Sequence, residues 1–239
     1  MKTAFLALWN DYPVSLEEEY ETWHTFEHVP ERLTTPGILS ARRYRSSPRD
    51  GRNHYFTLYE LGSFQAIDNP VYFDLVKNPT DWSARMREHF SHVLRIPAQP
   101  LKSAGRGMGR HALIQAYTVG RMQVDAISAR LEQSLEAQRM SGRILGYTIG
   151  DGEPNQAYEV FAQEQQSGGD IVNLVVLVEG LTQDNLEQIQ TSLGPIWQSL
   201  STAQCLRDDL FEFLASFEER EVPAERTALA ASPALRARF

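Results

Sequence analysis

The chain has 239 residues, 42% hydrophobic and 23% charged, which is enough apolar material for one large domain or two small ones and too much for a disordered tail. A formal net charge of −8 leaves no basic footprint for nucleic acid or an anionic membrane surface, despite the short cluster Arg42, Arg43 and Arg45. The single cysteine, Cys205, excludes an internal disulfide framework and a cysteine-rich metal cage, and no stretch approaches the roughly 20 apolar residues a bilayer requires.

Met1 to Trp9 lacks the basic start, long apolar stretch and cleavage site of a signal peptide, so a reducing cytoplasm is the expected location. Thr3 to Trp9 reads as a buried strand ended by the turn Asn10-Asp11-Tyr12-Pro13. Ser15 is placed to cap a helix with Glu17, Glu18 and Glu19 in its first turn, and Pro30 should kink or end that helix. Beyond the breaker Thr35-Pro36-Gly37, Ile38 to Arg45 and His54 to Leu61 form two strands of a hairpin joined by Ser46 to Arg52. A helical region, Ser63 to Phe90, is interrupted near Asn78-Pro79, and a last strand, His92 to Ile96, leads into Pro97 to Gly109, which reads as a linker.

The order βαββαβ then recurs: strand Ala112 to Val119, helix Val124 to Arg139, strands Ile144 to Ile149 and Ile171 to Val178, helix Gln183 to Leu200, strand Leu206 to Phe213. An additional strand is placed at Ala157 to Gln163. The expected fold is α+β, two tandem ferredoxin-like repeats whose antiparallel sheets cover each other's apolar faces as an intrachain α/β barrel. The expected domains are residues 1–100 with the site, a degenerate repeat over 110–217, and a C-terminal arm over 218–239.

Projected as a helix, the first helical segment gathers Leu16, Tyr20, Trp23, Phe26, Pro30 and Leu33 on one apolar arc, with Glu27 inside it and His24, His28 and Glu31 on its polar flank. A carboxylate among aromatics must be hydrogen-bonded, paired or protonated. Three readings compete. Glu27 pairs structurally with Arg42 or Arg43 while the histidines are interfacial; or Glu27 and the histidines form a proton-transfer site; or His24-Thr-Phe-Glu27-His28, which matches H-x-x-E-H, binds a metal, although no third protein ligand can be identified.

Arg42 and Arg43 alternate across their strand, so only one faces the helices, and the same holds for Tyr55 against Phe56 and for Tyr59 against Leu58. His54, Tyr72, Trp82, Arg85 and His89 are further candidates for a pocket wall that suits an apolar, ring-containing ligand. The corresponding helix of the second repeat, Val124 to Leu135, contains neither histidine nor tryptophan, so one site per chain is expected, in the first repeat. No phosphate-binding glycine motif and no Gly-x-Ser-x-Gly elbow is present, so nucleotide cofactors and serine hydrolysis have no support.

The run Glu21-Thr-Trp23-His24-Thr-Phe-Glu27-His28-Val-Pro30-Glu31-Arg32, then Pro36-Gly37-Ile-Leu-Ser-Ala-Arg42-Arg43-Tyr44 and Asn78-Pro79-Thr-Asp-Trp82, resembles the dimeric α/β-barrel superfamily, in particular its EthD-like branch. The resemblance covers roughly residues 1–100; over 110–215 only the element order supports it. It implies that His28 faces the pocket, and that this chain carries in tandem the two repeats that most relatives assemble by dimerising; homo-oligomerisation stays open. The leading expectation is a cofactor-free lyase, isomerase or dehydratase acting on a small cyclic or aromatic metabolite. His28 would be the acid or base, Glu27 and His24 its catalytic neighbours, and Trp23, Arg42, Arg43, Tyr72 and Trp82 the substrate contacts, with no metal. A non-catalytic small-ligand-binding or structural protein of the same fold is the alternative, and a haem- or metal-dependent member the third reading.

Overall fold

The computed structural model describes residues 4–154, 169–229 and 233–239. The strand expected at Ala157 to Gln163 lies outside them. The elements are β1 (Ala4–Pro13), α1 (Glu17–Trp23), a π-helical turn (His24–His28), α2 (Val29–Leu33), β2 (Ile38–Arg49), β3 (Arg52–Leu61), α3 (Pro70–Lys77), α4 (Asp81–Arg87) and β4 (Ser91–Gly105). They continue as β5 (His111–Gly120), α5 (Val124–Met140), β6 (Gly146–Gly152), β7 (Ile171–Gly180), α6 (Gln183–Gln198), β8 (Gln204–Glu218) and α7 (Pro233–Arg236). The fold is α+β, with two ferredoxin-like repeats and an eight-stranded antiparallel barrel in the order β1-β3-β2-β8-β5-β7-β6-β4. No helix among the described residues is long and apolar enough to cross a membrane.

Two compact units divide the chain. Among the described residues, one takes 4–95, 214–229 and 233–239, the other 96–154 and 169–213. In the first unit, β1 and β2 flank β3, and the residues of β1 and β3 alternate so that Leu6, Tyr55 and Tyr59 meet the helices while Phe56 packs, tilted, against Trp9 on the other face. That alternation resolves the sequence ambiguity in favour of Tyr55 and Tyr59. In the second unit, α5 and α6 bury Ile127, Leu131, Leu135, Leu186, Ile189 and Leu193 against Leu113, Val172, Leu174 and Val176 of the sheet, with Trp197 stacked 4.1 Å from Tyr117. Each fully buried leucine or isoleucine there contributes about 1.5–3 kcal/mol.

Three local expectations are corrected and a fourth is narrowed. The turn expected at Asn10 to Pro13 is strand, because the ladder to β3 continues through Asn10↔Tyr55, Asp11↔His54 and Tyr12↔Asn53, and Pro13 stands at its end, where its missing N–H costs little. The hairpin loop is not seven residues but the pair Asp50-Gly51, both at positive φ (51° and 72°), the geometry of the tight turns that match strand twist. The linker expected at Pro97 to Gly109 is largely strand: β4 pairs with β6 from Ala98↔Gly152 to Gly105↔Gly146, with a register shift at Pro100 absorbing the lost donor. Of the two outcomes expected at Pro30, a kink or an end, the helix does not end there but changes to a π turn just before it. Pro30 enters α2 as an early residue, and the wider π turn before it relieves the clash that proline makes with the preceding turn.

Gly51 and Gly105 separate two costs of adding a side chain. A Cβ on Gly51 (φ +72°) meets nothing, whereas on Gly105 (φ +98°) it falls 2.1 Å from the Leu145 carbonyl oxygen. Gly51→Ala is expected to cost about 1 kcal/mol of backbone strain, and Gly105→Ala clearly more. Urea unfolding midpoints of the two variants measure this, and equal losses would refute the packing argument.

Candidate functional site

The first helix carries two side-chain stripes with different environments. In the π turn each residue advances by less than the ~100° of an α-helix. Glu27 accordingly stays near the Trp23 face, and Phe26 swings out to 57% exposure instead of joining the apolar arc. Trp23 donates its indole N–H to Ser83 Oγ at 3.1 Å, Ser83 Oγ donates to Glu27 Oε1 at 3.1 Å, and the Thr80 hydroxyl donates to the same oxygen. Thr80 also caps α4 by accepting from the Ser83 backbone N–H. The second Glu27 oxygen accepts from Arg236 of α7 at 2.8 Å. Glu27 is therefore an ionised, hydrogen-bonded anchor, and its cation is Arg236 rather than Arg42 or Arg43.

The other stripe, His24, His28 and Arg32, lines a cavity between this helix and the sheet of the first unit. Its empty volume, counting the open mouth, is about 610 Å3. Leu6 and Leu8 of β1, Ile38, Ile67, Phe90 and Val93 form its apolar wall; Tyr59, Tyr72, Arg87 and Arg95 complete the polar part. Arg87 donates to the Val76 and Leu75 carbonyls at the end of α3 (2.7 and 3.1 Å), where the helix dipole favours a cation. Arg95 donates to the Tyr72 hydroxyl at 2.9 Å, and the Arg32 guanidinium lies 5.7 Å over the Tyr72 ring.

Both histidines are held neutral. Burial lowers the His24 pKa well below 6.5, with Arg43, His28 and Arg32 acting in the same direction. Burial likewise lowers that of His28, reinforced by Arg32, Arg87 and Arg43. Their rings lie 4.9 Å apart, and the Nδ1 atom of each is buried without a hydrogen-bond partner. His24 is 2% exposed and packs on Tyr20, whereas His28 is only partly buried, so His28 is the ring a ligand can reach. Burial also keeps the Tyr59 hydroxyl protonated.

Of the residues singled out in the sequence, the structure brings His24, His28, Tyr59 and Tyr72 together at the cavity. Arg43 is the arginine of its pair that faces the helices, yet it is committed to Glu21 (2.8 Å) and the Thr25 hydroxyl; Arg42 bonds Glu60 at 3.0 Å. Trp23 and Trp82 belong to the aromatic core with Tyr12, Tyr20, Tyr55 and Met86, and Trp82 donates to Glu19, which also binds Arg85. His54 bonds Asp11 at 2.6 Å and His89 meets the Tyr12 ring edge-on. The H-x-x-E-H trio does not converge, since Glu27 turns to Thr80, Ser83 and Arg236; among the described residues no group of three or more His, Cys, Asp or Glu is placed to hold a metal ion. Sequence reasoning missed Arg32, Arg87 and Arg95. Only Arg32 had a readable signal, standing one turn beyond His28 on the same stripe.

No family model matches the sequence, and no curated protein does. The architecture is similar to that of an anthrone oxidase-like protein (TM-score 0.58, 8% identity, 90% of this chain and 93% of that one) and of a candidate monooxygenase from Fusobacterium nucleatum (TM-score 0.55, 8% identity, 90% and 94%). At such identities the likeness is one of fold.

Two neutral histidines, one buried and one partly buried, have a stability signature. Their folded pKa lies below the unfolded 6.5, so in the interval between the two the unfolded chain binds more protons and stability falls as pH falls. Each histidine is expected to contribute a slope of up to about 1.4 kcal/mol per pH unit below pH 6.5. His24→Asn/His28→Asn should flatten the acid limb of a denaturation-versus-pH series, and an unchanged limb would contradict the neutral assignment.

Proposed function

We propose that the chain is an enzyme that abstracts a proton from a small cyclic or aromatic carbon acid without a cofactor, with His28 as the general base. The observation carrying this reading is a neutral, reachable imidazole in an apolar cavity whose other polar groups are guanidinium and phenol donors. A neutral imidazole has a lone pair ready to accept a proton, and the imidazolium so formed stands beside the enolate or phenolate left on the substrate. Arg32, Arg87, Arg95 and the protonated Tyr59 are the groups that can donate to that oxygen. His24, almost fully buried, packs on the His28 ring and limits its orientation.

Proton abstraction is the shared first step of isomerisation, dehydration and direct reaction of a carbanion with O2. In the last case the substrate CH2 becomes C=O and the remaining oxygen atom leaves as water. The folds shared with an anthrone oxidase-like protein and a candidate monooxygenase support the oxidative outcome, while the EthD-like resemblance of Glu27-His28-Val29-Pro30 supports His28 as the pocket histidine.

Deuterium exchange tests the shared step whatever follows it. In D2O, cyclic enolisable ketones and anthrone-type compounds should lose their acidic C–H signal faster with the protein, and His28→Ala should slow this at least ~100-fold while leaving the melting temperature close to that of the parent. Saturable binding of these compounds with no exchange would instead establish a ligand-binding protein, and undiminished exchange in His28→Ala would remove His28 from the role. Running the reaction with and without O2 distinguishes oxidation from isomerisation or dehydration.

A further inference from the structure

The helix that presents His24, His28 and Arg32 to the cavity carries Glu27 and Glu31 on the neighbouring stripe, both almost fully buried. The C-terminal segment supplies a guanidinium to each: Arg236 to Glu27 at 2.8 Å and Arg226 to Glu31 at 2.6 Å. The same segment seats Leu235 against the aromatic core of Tyr12, Tyr20 and Trp23, places Phe239 over the Trp82 ring at 6.3 Å, and pairs Arg238 with Glu18. These arginines are partly exposed, and α7 is a surface turn of four residues, so the segment contributes charge from outside to carboxylates that the helix has already buried. A carboxylate in a dry interior needs such a partner to stay ionised, and losing it admits either a proton or water.

We propose that Arg226 and Arg236 are positioning residues: the C-terminal segment is a strap that, by neutralising Glu31 and Glu27, fixes the π turn and hence the placement and dry surroundings of His28 and His24. The proposal rests on the reading of these histidines as the chemical groups of the cavity, but its test needs no turnover.

Long-range 1H–15N spectra of the full chain, with His24 and His28 assigned through single histidine variants, report ring environment and titration. In Arg226→Ala/Arg236→Ala both histidine signals should shift and their titration should move up towards pH 6.5, while second-unit amide signals stay in place. Arg226→Lys/Arg236→Lys should restore the parent pattern. Should the double alanine variant fail to fold, adding Glu27→Gln and Glu31→Gln removes the buried charges, and this quadruple variant should fold with parent-like histidine signals. Unchanged histidine titration in the double alanine variant, or displaced signals in the quadruple, would overturn the strap. An absence of proton-abstraction activity alongside the expected shifts would sink only the enzymatic reading.

Discussion

The first unit is organised around a carboxylate that has been taken out of water. Glu27 sits in the only π turn of the described residues, and its desolvation has to be offset by donors from elsewhere. It obtains them from three places in the chain: Thr80 and Ser83 at the start of α4, the Trp23 indole through Ser83, and Arg236 close to the C-terminus. One buried charge thereby joins segments separated by 53, 56 and 209 residues. Replacing only one of its partners would leave the charge uncompensated, so this is a constraint of specificity as well as of stability.

The consequence for the cavity is one of direction. With Glu27 and Glu31 held by partners on one stripe, the adjacent stripe is free to place His24, His28 and Arg32 on the cavity wall. The histidines then lie among guanidinium groups and apolar side chains rather than beside a carboxylate, and they stay neutral. A histidine paired with Glu27 would have had the opposite electrostatics, a raised pKa and a cationic resting state. The position of one carboxylate thus separates a neutral imidazole from a cationic one.

The two repeats show the same backbone plan put to different uses. In the second unit the space between helices and sheet is filled by branched aliphatics and the Trp197–Tyr117 stack, a dense core without histidine. In the first unit the equivalent layer is built from aromatic and charged side chains, whose rigid rings and hydrogen-bonded heads leave a lined cavity between them.

The sequence by itself determined the βαββαβ order twice over, because hydrophobic periodicity and helix breakers are local properties. It also drew attention to the helix that lines the cavity with His24 and His28, because an amphipathic arc holding a carboxylate and flanked by histidines is visible in one projection. Strand ends were not legible: Asn10 to Pro13 and Pro97 to Gly105 read as turn and linker, yet partner strands give them ladders, which is a property of pairing and not of composition. Nor was the pairing of charges. Arg42, Arg43 and Glu27 each had several plausible partners within reach along the chain, and the choice of Glu60, Glu21 and Arg236 came from sheet parity and from the path of a C-terminal segment that sequence reading placed outside the core. Arg87 and Arg95 joined the cavity for the same reason. An arginine is placed by what lies opposite it, and only tertiary packing decides what that is.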